Sequence, residues 1–290
     1  MTELPAWLDQ TKAGYQLVQF LTENKVQVLP EFQREIGLED FFSDKDSREF
    51  QFSAFTAPKD SLFYSKLLER AVSRYGHGYL YTDLCAGSGL PFLAAISRLG
   101  FVGDDSKEIR GHFVDVDPKA VLTARENVKI LNLSETIQVE EKSLEDFFEQ
   151  FQSGSASMSS ERSCICINPP YIPYSEEKVS DEFLPVAAGL DGLKHTLPAL
   201  TANYPEGARL VVEWSTLADP LKVVDLIKFG FTVEECVAQE ISFGRYTRNP
   251  LIRQYLDDLR MGEKSLFTDE NGGRQMLVGC LLKPKINEDR

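Results

Sequence analysis

Long hydrophobic runs are missing from this 290-residue chain. No apolar stretch approaches the roughly 20 residues that cross a bilayer, so no membrane-spanning helix is expected. A basic leader is missing too. Met1 to Gln10 carries acids and no Lys or Arg, which speaks against a secretory signal. Cysteine is scarce and odd in number: Cys85, Cys164, Cys166, Cys236 and Cys280. Four of them lie in strand-like apolar runs, as expected of reduced thiols used as small hydrophobes in a cytoplasmic protein. Cys164 and Cys166 share a strand face, but no second Cys/His pair lies nearby in sequence, so no zinc site is expected. Histidine is scarcer still. His77 reads as a loop residue, His112 as a strand residue and His195 as part of a helix start, and none is assigned to catalysis. Positive charge is in deficit, with 31 Lys and Arg against 45 Asp and Glu and a net charge of -14. Such a surface repels phosphate backbones, so nucleic acid is disfavoured as a partner unless a local basic patch supplies the contact. Arg245, Arg248, Arg253 and Arg260 form the one cluster that could.

What is present is a change of period along the chain. Residues 1–75 read as helices without strands, from the helical spacing of Trp7, Tyr15, Leu17, Val18 and Leu21 and from the apolar run Leu62 to Val72, with Lys59 and Asp60 ahead of it. From Tyr79 onward short β runs alternate with helices. Strands are expected at Tyr79–Cys85, Gly111–Val116, Thr136–Glu141, Cys164–Ile167, Leu210–Trp214, Phe231–Ser242 and Gln275–Leu282. Helices fall at Pro91–Leu99, Pro118–Leu131, Leu144–Phe151 and Leu221–Phe229. Ser153–Ser160 reads as a Ser/Gly-rich loop. Alternation of this kind builds an α/β fold with a mostly parallel sheet and helices on both faces. Right-handed crossovers then bring every parallel strand's C-terminal end to one rim, where such sheets bind ligands. The domain expectation is a helical N-terminal region at 1–75, for substrate recognition or as a lid, and a sheet domain at 76–290. Residues 244–273 lie between the last two strands and are too long for a turn. Within them, Leu251, Ile252, Tyr255 and Leu259 mark one face of a helix near Asn249–Arg260. That helix reads as an edge-packed element, an acceptor-site lid or a homodimer contact.

Two strand ends carry the cofactor chemistry. Asp83-Leu84-Cys85-Ala86-Gly87-Ser88-Gly89 ends a strand and opens a helix. Its glycines allow a tight turn and close backbone approach to a ligand, and the helix N-terminus offers N–H groups to a carboxylate or phosphate. The dinucleotide fingerprint wants a third glycine where Phe92 stands, which disfavours a nicotinamide cofactor. No Gly-Lys-Ser/Thr follows, which excludes a Walker loop. A cofactor with a ribose and a carboxylate remains. Val114-Asp115-Val116-Asp117-Pro118 places acids at the end of the next strand, where Asp115 can accept both ribose hydroxyls and Asp117 serves mainly as a helix cap.

A further strand ends in Asn168-Pro169-Pro170-Tyr171. The prolines fix φ and remove N–H groups, so the turn is stiff. The Asn168 side-chain oxygen and the Pro169 carbonyl are then two fixed acceptors suited to an –NH₂ group, with Tyr171 able to stack on the flat group that carries it. As a bare tetrapeptide this is a plain surface turn. Beside the glycine turn and Asp115 it reads as a site that holds a nitrogen against an electrophilic methyl. Positioning and desolvation are its main devices, and no general base is required.

These residues resemble the class I S-adenosylmethionine methyltransferases of the release-factor glutamine methyltransferase (HemK/PrmC-like) group. The likeness is carried by residues 83–89, by Val114-Asp115-Val116-Asp117-Pro118-Lys119-Ala120 and by Ile167-Asn168-Pro169-Pro170-Tyr171-Ile172-Pro173. Gly189-Leu190-Asp191-Gly192-Leu193 and Leu210-Val211-Val212-Glu213 look like that group's later segments. It spans about 78–245. The resemblance implies a Rossmann-like seven-stranded sheet with its last strand antiparallel and S-adenosyl-L-methionine as cofactor. Asp83, Ala86, Gly87, Gly89, Asp115, Val116 and Asn168 would line the cofactor site. Asn168, Pro169 and Tyr171 would hold the acceptor nitrogen. Where the group carries an acid at the third strand's end, this chain has Ser143, so adenine contact falls to backbone or to Leu144. The group's entry motif is replaced by Phe55-Thr56-Ala57-Pro58-Lys59-Asp60, and the 244–273 insertion has no counterpart. These departures lie where the acceptor is chosen, so the acceptor reading is broad: a protein, a peptide or a small metabolite. A nucleic-acid adenine methyltransferase would share the Asn-Pro-Pro-Tyr motif but needs basic stripes beside it. A non-catalytic cofactor-binding scaffold would not need Gly87, Gly89, Asp115 and Asn168 all intact.

Overall fold

The computed structural model describes residues 3–31, 40–41, 58–102, 109–152, 162–173, 191–203 and 207–285. The expected segments Phe55 to Ala57, Ser153–Ser160, Gly189 and Leu190 lie outside them, as does the side chain of His195. The chain divides into two compact units. One comprises Arg34–Asn168 and Ala202–Val212, the other Met1–Gln33, Pro169–Thr201 and Glu213–Lys285.

The first unit is built on parallel strands β2 (Leu80–Leu84), β3 (Arg110–Asp115), β4 (Ile137–Glu141) and β5 (Ser163–Ile167). β2 lies between β3 and β5, β4 flanks β3, and the start of β6 (Arg209–Ser215) flanks β5. Leu84 pairs with Val114 on one side and with Ile167 on the other. The next residue of each strand is Cys85, Asp115 and Asn168, so these three stand in one row at the C-terminal rim. Strands are spaced about 4.8 Å apart, so Asp115 and Asn168 lie roughly 10 Å apart across β2. Helices α2 (Pro58–Tyr75), α3 (Leu90–Arg98), α4 (Pro118–Ile130) and α5 (Leu144–Gln152) complete this unit. Asp117 caps α4, accepting the Lys119 N–H at 2.9 Å, with Pro118 in the first turn, as the sequence suggests.

The second unit holds α1 (Lys12–Glu23), β1 (Gln27–Leu29), α7 (Pro220–Gly230), β7 (Phe231–Ser242), α8 (Pro250–Met261) and β8 (Arg274–Pro284), with the end of β6. α6 spans Asp191–Asn203. β7 and β8 pair antiparallel from Phe231↔Pro284 to Ser242↔Arg274, with a bulge between Val233 and Glu235. The strand order is β1-β7-β8-β6-β5-β2-β3-β4, eight strands rather than the seven implied by the resemblance. The extra strand is β1, in the region read as purely helical. It pairs parallel with β7, Gln27 against Val237 through Leu29 against Gln239, and the Gln239 amide donates to the Pro30 carbonyl. Three residues are too few for a period-2 signal. Their role is to cover the edge of β7, which would otherwise expose unpaired N–H and C=O groups.

Among the described residues no helix is long and apolar enough to cross a membrane. All five cysteines are free, and only Cys85 is less than fully buried. Trp214 is core. In α8 the buried stripe is Ile252 and Leu256, while Leu251 is 51% exposed. The expected face at Leu251, Ile252, Tyr255 and Leu259 is therefore rotated by part of a turn. Leu256→Ala should lower unfolding free energy by about 2–4 kcal/mol and Leu251→Ala by less than about 0.5 kcal/mol, both read by urea denaturation.

Candidate active site

The rim of the first unit gathers Asp83, Ala86, Gly87, Asp115 and Asn168. β2 runs into a turn in which Cys85, Gly87 and Gly89 take φ of 59°, 57° and 71°. These left-handed residues turn the chain tightly, and the Ala86, Gly87 and Gly89 N–H groups are all used within the protein. A cysteine at positive φ is unusual, and such strain concentrates at functional sites. The Ala86 N–H is held by the Val114 carbonyl at 3.1 Å, and the Ala86 carbonyl accepts the Gly89 N–H at 2.9 Å. Asn127, from α4, donates to the Ser88 carbonyl at 3.0 Å.

The two glycines differ. A Cβ on Gly87 would meet nothing within 4 Å, so its bare face opens to space that a ligand can enter. A Cβ on Gly89 would stand 2.6 Å from Phe113 Cε2. Gly89 is therefore glycine for packing, and its side-chain face meets the protein's own core.

Asp115 is oriented by backbone. Its Oδ2 accepts the Gly87 N–H at 2.8 Å and its Oδ1 accepts the Asp117 N–H at 2.9 Å. Each oxygen keeps a second lone-pair direction for a ligand hydroxyl. Burial pushes its carboxyl above the usual range, opposed by the Asp117 and Gly87 N–H bonds. Val116 beside it is 67% exposed. Ser143 is engaged locally: its hydroxyl donates to Asp146 Oδ2 at 2.8 Å and accepts the Asp146 N–H at 3.0 Å, closing the start of α5. Leu144 follows it, half-buried, as the first residue of α5.

Asn168 donates through Nδ2 to Asp60 Oδ1 at 2.7 Å. Its Oδ1 is buried and has no hydrogen-bond partner among the described residues. Pro169 and Tyr171 belong to the other unit, where Tyr171 is buried. One turn beyond Asp60 on α2, the Tyr64 hydroxyl donates to Asp83 Oδ1 at 2.6 Å, and Ser65 Oγ donates to the Pro91 carbonyl at 2.8 Å. Burial pushes the Asp83 carboxyl up to about 7, opposed by the Tyr64 hydrogen bond and reinforced by Asp115. Asp60, Tyr64 and Asn127 are site residues that sequence reasoning passes over. The signal available for the first two is their spacing of four, which places two polar side chains on the apolar face of α2.

The same stretch of chain is similar to known proteins. The family model described as "conserved hypothetical protein 95" matches residues 65–184. A Methanocaldococcus jannaschii protein provisionally named a protein N5-glutamine methyltransferase is 28% identical over 167 residues, covering 56% of this chain and 75% of that protein. Among solved structures, a Geobacter sulfurreducens S-adenosylmethionine-dependent methyltransferase in complex with S-adenosyl-L-homocysteine aligns over 87% of this chain and 100% of its own, at 13% identity and a TM-score of 0.44. A Pyrococcus horikoshii protein provisionally named an RNA methyltransferase aligns over 83% and 96%, at 16% identity and a TM-score of 0.47.

Gly89→Ala should destabilise the fold by about 2 kcal/mol or more, from the Phe113 clash and the left-handed φ, and Gly87→Ala by about 1 kcal/mol from φ alone; thermal unfolding compares them. The raised Asp83 carboxyl means that the folded chain holds a proton that the unfolded chain releases near pH 4. Its contribution to stability therefore falls as pH rises from about 4 to about 7 and is level above that. Wild type should lose unfolding free energy relative to Asp83→Asn as pH rises across that window, and an unchanged difference would refute the assignment.

Proposed function

We propose that the chain is an S-adenosylmethionine-dependent N-methyltransferase acting on an amide or amine nitrogen of a protein, peptide or small metabolite. One observation carries the reading. Asn168 presents a buried side-chain oxygen without a partner among the described residues, in the same rim row as Asp115. The curated relative's name, protein N5-glutamine methyltransferase, supports the same chemistry.

The residues present fit the cofactor. Asp115 is held by two backbone N–H groups with lone pairs to spare, which suits a ribose diol. The open face of Gly87 leaves space where a carboxylate-bearing chain can lie. Asp83 and Ala86 support that turn from below, and Val116, Ser143 and Leu144 border the side where adenine would lie. When bound, S-adenosylmethionine supplies a methyl made electrophilic by its sulfonium.

The chain's own residues then position the nucleophile. Asn168 Oδ1 accepts one hydrogen of the acceptor nitrogen, which restricts its rotation and directs its lone pair. Withdrawing that nitrogen from water removes competing hydrogen bonds to the lone pair. No side chain is asked to remove a proton before transfer, since the nitrogen sheds it during or after. The roles read from the sequence for Pro169 and Tyr171 belong to the same proposal. The acidic balance favours an uncharged or cationic acceptor surface over a phosphate backbone.

Calorimetric titration with S-adenosylhomocysteine should give binding to wild type and none measurable to Asp115→Ala. Asn168→Ala should hold cofactor affinity within about threefold and lose about a hundredfold in turnover. Turnover is read as transfer of a tritiated methyl into a cell extract. Label lost on protease treatment supports the proposal, and label lost only on nuclease treatment overturns the acceptor class.

A further inference from the structure

An asparagine amide is nearly symmetric in shape, so rotation by half a turn exchanges its donor and acceptor ends. Which end faces a substrate depends on what holds the other. At Asn168 that partner is Asp60, whose Oδ1 lies 2.7 Å from Nδ2. A carboxylate only accepts, and the reversed amide would set two oxygens against each other at that distance. The polarity of the Asn168 tip is therefore set by a residue 108 positions earlier in the chain.

Asp60 is itself rigidly placed. It stands in the first turn of the 18-residue helix α2 and is 7% exposed. The next turn of the same helix is tied to β2 through Tyr64 and Asp83, and to α3 through Ser65 and Pro91. An acid in a first turn is ordinarily a solvated partner of the helix dipole. A buried one aimed at a strand-end asparagine has another use.

The geometry points to Asp60 as the positioning residue for Asn168: it fixes the amide with Oδ1 outward, so that the acceptor site takes N–H donors. This inference rests on the N-methyltransferase reading above. Reorganisation of the amide during reaction is then unnecessary, since the dipole is already set. Loss of Asp60 frees the amide to turn its nitrogen outward, besides leaving Nδ2 without its anion.

Two cofactor analogues test this without knowledge of the acceptor. Sinefungin carries an amine where S-adenosylmethionine carries its methyl, so it places N–H donors toward Asn168. S-adenosylhomocysteine has nothing there. In wild type, sinefungin should bind about tenfold tighter, the worth of one hydrogen bond. Asp60→Ala and Asn168→Ala should each shrink that ratio to within about twofold, and the double variant should go no further. Asp60→Asn, whose own amide can present either end to Asn168, should give a ratio between those of wild type and Asp60→Ala. A wild-type ratio in Asp60→Ala while Asn168→Ala loses it would overturn the role of Asp60. Loss of S-adenosylhomocysteine binding in Asp60→Ala would overturn it too, since Asp60 would then support the fold. A wild type that binds neither analogue, or an Asn168→Ala that keeps the ratio, would instead sink the parent reading.

Discussion

The pairing of β2 with β3 on one side and β5 on the other fixes everything else at the rim. Leu84 sits opposite both Val114 and Ile167, so the glycine turn, Asp115 and Asn168 emerge level with one another. Side chains alternate faces along a strand, and a slip of one residue in either pairing would send the acid or the amide to the wrong side. The register is held by burial: Leu84, Val114, Ile165 and Ile167 are almost wholly excluded from solvent. The alignment of this rim thus follows from core packing.

On that scaffold, backbone and buried polar groups do the fine placement. Gly87 and Asp117 N–H groups clamp Asp115. Asn127 braces the turn at Ser88. Helix α2 reaches β5, β2 and α3 through Asp60, Tyr64 and Ser65. Each of these buried groups meets a partner, as desolvated polar atoms must. The exceptions are informative. Asn168 Oδ1 and Asp83 Oδ2 are buried without a partner among the described residues. For Asp83 the cost of burying a charge is met by keeping its proton to about pH 7. An amide oxygen has no such recourse; Gln239 Oε1 is in the same state, so at Asn168 it is the strand-end position together with the unmet oxygen that supports the proposed role.

Much of this is legible in the chain because strands and helices leave periodic marks and strand ends can be located within a residue or two. Asp115 and Asn168 stand out because each ends an apolar run. What escapes has a common cause. Asp60 meets Asn168 across 108 residues of sequence, and the identity of Gly89's neighbour, Phe113, depends on register rather than on local pattern. Cys85 adopts a glycine-like φ that no propensity assigns to it. β1 is too short to show a period. The bond from Ser143 to Asp146 at the start of α5 is a local one that strand counting does not reveal. Local signals locate the ends of elements, and tertiary pairing decides what the residues at those ends do there.

Nitrogen methyltransfer needs no charged catalyst at the reacting atom, only an acceptor dipole of fixed sign and a donor held in line. A fixed dipole can be built from a neutral amide provided its orientation is enforced elsewhere. In the proposed arrangement the positioning carboxylate stands behind the amide, on α2, so that a neutral group rather than a charge faces the acceptor nitrogen. On that proposal, a chain with a net charge of -14 would still present a neutral hydrogen-bond acceptor to the reacting nitrogen.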